Sequence, residues 1–199
     1  MNRDQALAIV EEHVSAPGLR KHMLCVEAAM RGYATRLNGD PELWGLAGLL
    51  HDYDWELHPT LEQHPKDGAP LLRERGCPEE VVHAILAHNT EGTGVERSSA
   101  MDFALLACDE VTGLISATAL VRPSKDLREV PLKSVRKRWK QRAFAGGVDR
   151  EHVEAVTEDF SRACFDGKLE LWEHVGNILE SLKAIAPELE LDGRLGVQS

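Results

Sequence analysis

The chain has 199 residues, and its 23 Lys and Arg against 33 Asp and Glu give a formal charge of −10, which excludes a generally basic nucleic-acid coat protein. Hydrophobic residues make up 43% and charged residues 28%, a balance that supports a sizeable core and excludes a disordered polyelectrolyte. No run approaches the ~18 uninterrupted apolar residues of a membrane-spanning helix, and residues 1–5 lack the basic-then-apolar pattern of a secretory signal, so the expected location is cytoplasmic.

Apolar residues recur at helical spacing almost throughout, without a five-residue alternating run rich in Val, Ile and Thr, so the expected fold class is all-α. Residues 4–14 make a short opening helix that Pro17 and Gly18 interrupt. A long helix follows over about 19–37, with Leu19, Val26, Met30, Tyr33 and Leu37 as its inward stripe and Asn38 and Gly39 as its end. Asp40 and Pro41 form an N-cap and first-turn proline for a helix over 42–50 that delivers His51 and Asp52. Residues 53–64 read as irregular. Pro65 opens a helix to residue 75, Gly76 stops it, and Pro78 with Glu79 and Glu80 starts the helix that carries His83 and His88. Residues 90–96 read as a loop, after which Ser98 or Ser99 caps an apolar helix over 100–120 with Asp109 and Glu110 in its middle.

Beyond Pro123 the character changes. Residues 120–150 hold ten Lys or Arg and three Asp or Glu, a local +7 that leaves −17 on the rest. Gly146 and Gly147 end this basic helix, Asp149 caps a helix over 150–165, residues 168–186 form the last one, and the tail beyond Leu191 is expected to be loose. The four cysteines lack C-x-x-C spacing and read as reduced core residues. The layout is a helical core over 1–120 with a helical extension over 121–199 packed on it.

Several polar residues stand where the helical pattern favours apolar ones. His22 shares the inward stripe of the long helix, between Leu19 and Val26. His51 and Asp52 follow Leu46, Ala47, Leu49 and Leu50, and Asp109 lies among Phe103, Leu105, Leu106, Val111, Leu114 and Ile115. An unpaired carboxylate in such surroundings costs several kcal/mol of desolvation. No Lys or Arg occurs between Arg97 and Arg122, so the partner of Asp109 is either distant in sequence or a metal ion. Imidazoles with carboxylates suit Fe, Mn, Co, Ni or Zn.

The order His22, His51-Asp52, Asp109 resembles the H…HD…D signature of the HD superfamily of metal-dependent hydrolases, and His64 and His88 resemble the two additional histidines of its binuclear members. The resemblance implies an HD-type metal-binding core. A first ion would be held by His22, His51, Asp52 and Asp109, and Asp52 would bridge to a second held by His64 and His88. The stretch from Pro131 to Arg150, with Ser134-Val135 and Phe144-Ala145, resembles the C-terminal extension of one HD-hydrolase subgroup. His58 is the rival of His64 for the loop ligand, whereas His83 points ~140° away from His88 around a helix and cannot share its ion. Asn89 stands where three-metal members carry another histidine, which argues against a third ion. His13, His152 and His174 read as solvated surface.

One or two divalent ions (Fe, Mn, Ni, Co, Zn or Mg) sharing Asp52 would hold a bridging hydroxide, and the reaction that fits is phosphoester hydrolysis. Asp52 and Glu91 form the candidate catalytic set, with Glu91 and Glu110 each open to a capping or solvated role instead. The expected substrate is a small phosphate ester or a nucleotide, with Lys133, Arg136 and Lys140 as candidate contacts and Arg20 and Lys21 as a second set. A solvated face is the alternative for all of these. Neither a membrane nor a long nucleic acid is an expected partner. Two other functions fit the same ligands: a di-iron oxygenase of HD fold, resembling myo-inositol oxygenase, and a non-catalytic regulatory HD module. The sequence holds no G-x-S-x-G elbow, P-loop, G-x-G-x-x-G or H-E-x-x-H motif.

Overall fold

The computed structural model describes residues 1–196, and among them are ten α-helices and no strand, the all-α class expected from the spacing of apolar residues. The chain divides into two compact units, Met1–Leu106 and Ala107–Ser199.

In the first unit, α1 (Arg3–His13) opens with a capping box in which Asn2 and Gln5 each bond the other's backbone N–H. The expected interruption falls at residues 14–16, just ahead of Pro17, which itself begins α2 (Pro17–Arg36). At the first helical position its missing N–H falls on a group that has no intrahelical acceptor anyway. The carboxylate of Glu56 accepts from Ser15 N, Ala16 N and Ser15 Oγ, tying the segment after the third helix to the α1–α2 junction. α3 (Pro41–Leu50) is capped by Asp40, whose side chain accepts from Glu42 N at 2.9 Å, and buries Trp44 through Leu50. Of the expected α2 stripe, Val26, Met30 and Tyr33 are buried and Leu19 and Leu37 are half-buried.

Gly48 sets how closely α3 crosses α2. A Cβ at this position would lie 2.7 Å from the backbone N of Glu27 and 2.8 Å from its Cα, so only glycine permits the approach. Glu27 is itself buried, and Arg3 Nε (2.6 Å) and Arg31 Nε (3.0 Å) both donate to it. This packing positions the C-terminal end of α3 beside the N-terminal half of α2.

α4 (Ala69–Glu74) is shorter than the expected 65–75, because Pro70 is tolerated only in a first turn and residues 65–68 therefore stay in turns. α5 (Glu79–Ala87) ends at His88. The expected loop after it begins with a helical turn, α6 (Thr90–Thr93), which Asn89 caps and Gly94 closes at φ 73°. α7 (Ala100–Leu120) starts with a reciprocal box: Ser99 Oγ accepts from Asp102 N at 3.2 Å and the Asp102 carboxylate accepts from Ser99 N at 2.9 Å. This helix is long and apolar enough to cross a membrane by composition. It carries Asp102, Asp109 and Glu110, and Leu105, Cys108, Val111, Leu114 and Ile115 are buried along it, as in a core helix.

In the second unit, a 3-10 turn (Leu127–Glu129) leads to α8 (Leu132–Trp139), α9 (Arg150–Phe165) and α10 (Leu171–Ala184). The basic helix expected to reach Gly146 ends at Trp139. Arg150, 3% exposed, instead gathers the carbonyls of Trp139, Gln141, Phe144, Ala145 and Val148 and so folds residues 140–149 into turns. The expected loose tail is tied down as far as Arg194. Leu127 N donates to Leu191 O at 2.7 Å, and Arg128 Nη2 donates to Asp192 O at 2.8 Å. Residues 197–199 lie outside the described part. All four cysteines are free, with Cys25, Cys77 and Cys108 buried and Cys164 half-buried.

Candidate metal centre

Four segments of the first unit bring imidazoles to one carboxylate. His22 comes from α2, His51 is the residue that ends α3, His64 stands in the turns before α4, and His88 ends α5. Each oxygen of Asp52 faces a different pair. Oδ2 lies 3.6 Å from His22 Nε2 and 3.5 Å from His51 Nε2, whereas Oδ1 lies 3.2 Å from His64 Nε2 and 4.0 Å from His88 Nε2. Within the pairs, the Nε2 atoms of His22 and His51 are 3.2 Å apart and those of His64 and His88 are 3.1 Å apart. The result is two three-residue groups of metal-ligand spacing that share Asp52.

The opposite ring nitrogens explain this orientation. His51 Nδ1–H donates to Gly48 O at 2.9 Å, and His88 Nδ1–H donates to Ile85 O. A carbonyl only accepts, so the neutral forms of both rings present bare Nε2 lone pairs to the cluster. His64 Nδ1–H donates to Asp54 Oδ1 at 2.8 Å, and Asp54 is fully buried. Burial disfavours the His64 imidazolium, but hydrogen bonds and charge from Asp52 and Asp54 override it and push the pKa up to about 9. Lone pairs and carboxylate oxygens converging at 3 to 4 Å repel one another unless positive charge lies among them. The donor set of nitrogen and oxygen fits a divalent transition metal.

Three supports were not read from the sequence. Asp54 orients His64; its own place is enforced by Gly68, where a Cβ would collide with the Asp54 carboxylate. Asn89 donates to Leu61 O (2.7 Å) and His64 O (2.6 Å), fastening the irregular segment to the end of α5. Trp55 packs edge-on against His64 with ring centroids 5.0 Å apart. His51 and His64 are almost wholly enclosed, while the side chains of His22 and Asp52 keep 24% and 18% exposure, so the cluster opens on their side.

Asp109 is half-buried on α7 and belongs to the second unit. Glu91 is exposed on α6 and is in neither ligand group among the described residues. The same holds for His58, whose backbone N–H bonds Asp54 O. His83 pairs with buried Asp102 at 3.2 Å. Arg20 is spent on α1, its Nε donating to Val14 O at 2.5 Å. Lys133, Arg136 and Lys140 are exposed, and Arg136 lies 5.0 Å over the Trp172 ring. His174, expected on the surface, is fully buried and donates Nε2–H to Ala107 O at 2.8 Å.

Residues 19–113, just under half of the chain, match the family model of the HD domain. A 92-residue stretch is 37% identical to ribonuclease Y of Cutibacterium acnes, a match that covers 44% of this chain and 16% of that relative. No solved structure matches.

Proposed function

We propose that the chain is a metal-dependent phosphohydrolase acting on a small phosphate ester or a nucleotide. The observation that supports this most directly is the two-sided Asp52, each oxygen of which addresses its own pair of imidazoles. His22, His51 and Asp52 would hold one cation and Asp52, His64 and His88 a second. Cations there would lower the pKa of water and offset the charge that develops on phosphoryl oxygens. The chain's own contribution is positional: Asp54, Gly48 O and Ile85 O fix the three enclosed rings, and the exposed edge at His22 and Asp52 admits substrate. The HD superfamily's hydrolytic chemistry agrees with this assignment. The ligand role of Asp109 rests on the H…HD…D resemblance.

The name of the similar ribonuclease Y favours a second substrate class, the phosphodiesters of RNA. The −10 charge of this chain disfavours a long polyanion and keeps small phosphate compounds as the first choice. The test is a screen of phosphate monoesters, nucleotides and a short RNA, with Mn²⁺ supplied and oxygen excluded. Release of phosphate or mononucleotides by the wild type but not by Asp52→Ala supports hydrolysis. Oxygen uptake by the iron-loaded protein, without hydrolysis, would favour an oxygenase instead.

A further inference from the structure

The second unit carries a cavity of about 310 Å³ whose lining includes Thr118, Arg122, Ser134, Lys137, Arg138 and Gln141. Its size is at the lower end for small-molecule sites, roughly 300–1,000 Å³. Three cations face one space, and among the described residues a single carboxylate, Glu129, pairs with any of them. Among the described residues, neither Lys137 nor Arg138 has a carboxylate partner; Arg138 instead donates to Gln141 Oε1 at 2.9 Å and lies 4.7 Å over the Phe144 ring. Arg122 reaches Glu129 at 3.8 Å through Nη2, and its Nε is a buried donor without a hydrogen-bond partner. A buried donor left unmatched costs free energy that a bound acceptor would recover.

The neutral groups are set in the same sense. Because a guanidinium only donates, Arg138 fixes Gln141 with its oxygen toward Arg138, leaving the amide N–H groups for another acceptor. Ser134 adds a hydroxyl one turn before Lys137 and Arg138, so the i, i+3 and i+4 positions of α8 share one stripe. Lys133, Arg136 and Lys140 do not line the cavity. The geometry points to a binding site for the phosphate group of a small phosphorylated compound, with Arg122, Lys137 and Arg138 as its cations and Ser134 and Gln141 as its neutral donors. Every residue of this site belongs to the second unit, and the site does not depend on the metal chemistry proposed above.

Isothermal titration calorimetry of Asp52→Ala protein in the presence of chelator tests it, since phosphate can then draw no heat from bound metal. Pyrophosphate and AMP serve as probes. Saturable binding of either is expected, weakened at least tenfold by Arg122→Gln combined with Lys137→Gln and by Ser134→Asp alone. It should change less than twofold in Lys133→Gln combined with Lys140→Gln, which removes the same charge from positions that do not line the cavity. Thermal melts confirm that each variant is folded, and Ser134→Asp decides the matter if the double variant is not. Absence of saturable binding at millimolar probe would overturn the assignment. So would equal weakening by both lysine-containing pairs, or tighter binding of a 20-nucleotide RNA with equal loss in both pairs, each of which marks a diffuse basic surface.

Discussion

His64 and Asp54 form a closed pair: the ring donates Nδ1–H at 2.8 Å to a carboxylate with no exposure, while its Nε2 faces Asp52 at 3.2 Å. Asp54 thereby fixes which nitrogen of His64 points into the cluster and makes it a stronger donor. Asp54→Asn should keep the helices and lower affinity for Mn²⁺ or Zn²⁺ by about 10- to 100-fold. Metal competition with a chromophoric chelator reads this directly; unchanged affinity would show that His64 needs no such support.

The close crossing of α2 and α3 gives a second prediction. Gly48→Ala places a Cβ against the backbone of Glu27, and the helices must separate. Over-packing of this kind costs about 1–3 kcal/mol. Because the crossing also brings His22 to His51, a drop in urea midpoint should be accompanied by weaker metal binding. Loss of stability with metal binding intact would uncouple the crossing from the site.

In the second unit, Arg150 donates to five carbonyls of the 139–148 segment, and none of these acceptors is a carboxylate. Arg150→Met removes a charged donor from buried acceptors and should destabilise the protein on the order of 3 kcal/mol. Limited proteolysis should then cut within 140–149 faster than in the wild type. Wild-type resistance in the variant would contradict this role.

His174 predicts a pH effect whose sign is fixed by burial, which lowers its pKa from 6.5 to about 4, with the bond to Ala107 O acting in the opposite sense. Between these values the unfolded chain binds the proton and the folded chain does not. The stability it supports is therefore complete above about pH 6.5 and declines as pH falls toward 4, by on the order of 3 kcal/mol in all. Urea midpoints from pH 7.5 to 4.5 should fall in the wild type, and the fall should be shallower by one proton in His174→Gln. Equal slopes in the two proteins would exclude His174 as the cause.

Much of this arrangement is legible in the sequence because it rests on local rules. Asp40-Pro41 is a cap whatever surrounds it, and the apolar run behind His51 places that ring at a helix end. Asp54, Gly68 and Asn89 give no such signal, since each acts across irregular chain where periodicity says nothing about burial. His174 is different. Val175, Ile178, Leu179 and Leu182 are buried with it on one stripe of α10, so the pattern is present in the sequence and the adjacent Glu173 obscures it. Charge and spacing alone do not distinguish the cations of α8, and only the folded chain shows that Lys137 and Arg138 line the cavity while Lys133 and Arg136 do not.

The account stands on Asp52 joining two sets of imidazoles around cations. Metal analysis by plasma mass spectrometry, on wild type and Asp52→Ala purified without chelator and reloaded with Mn²⁺, measures this most directly. The prediction is at least one tightly held ion per wild-type chain and at least a tenfold loss in the variant, with unchanged helical content by circular dichroism. Equal metal content in the two proteins, or none in the wild type, would contradict it.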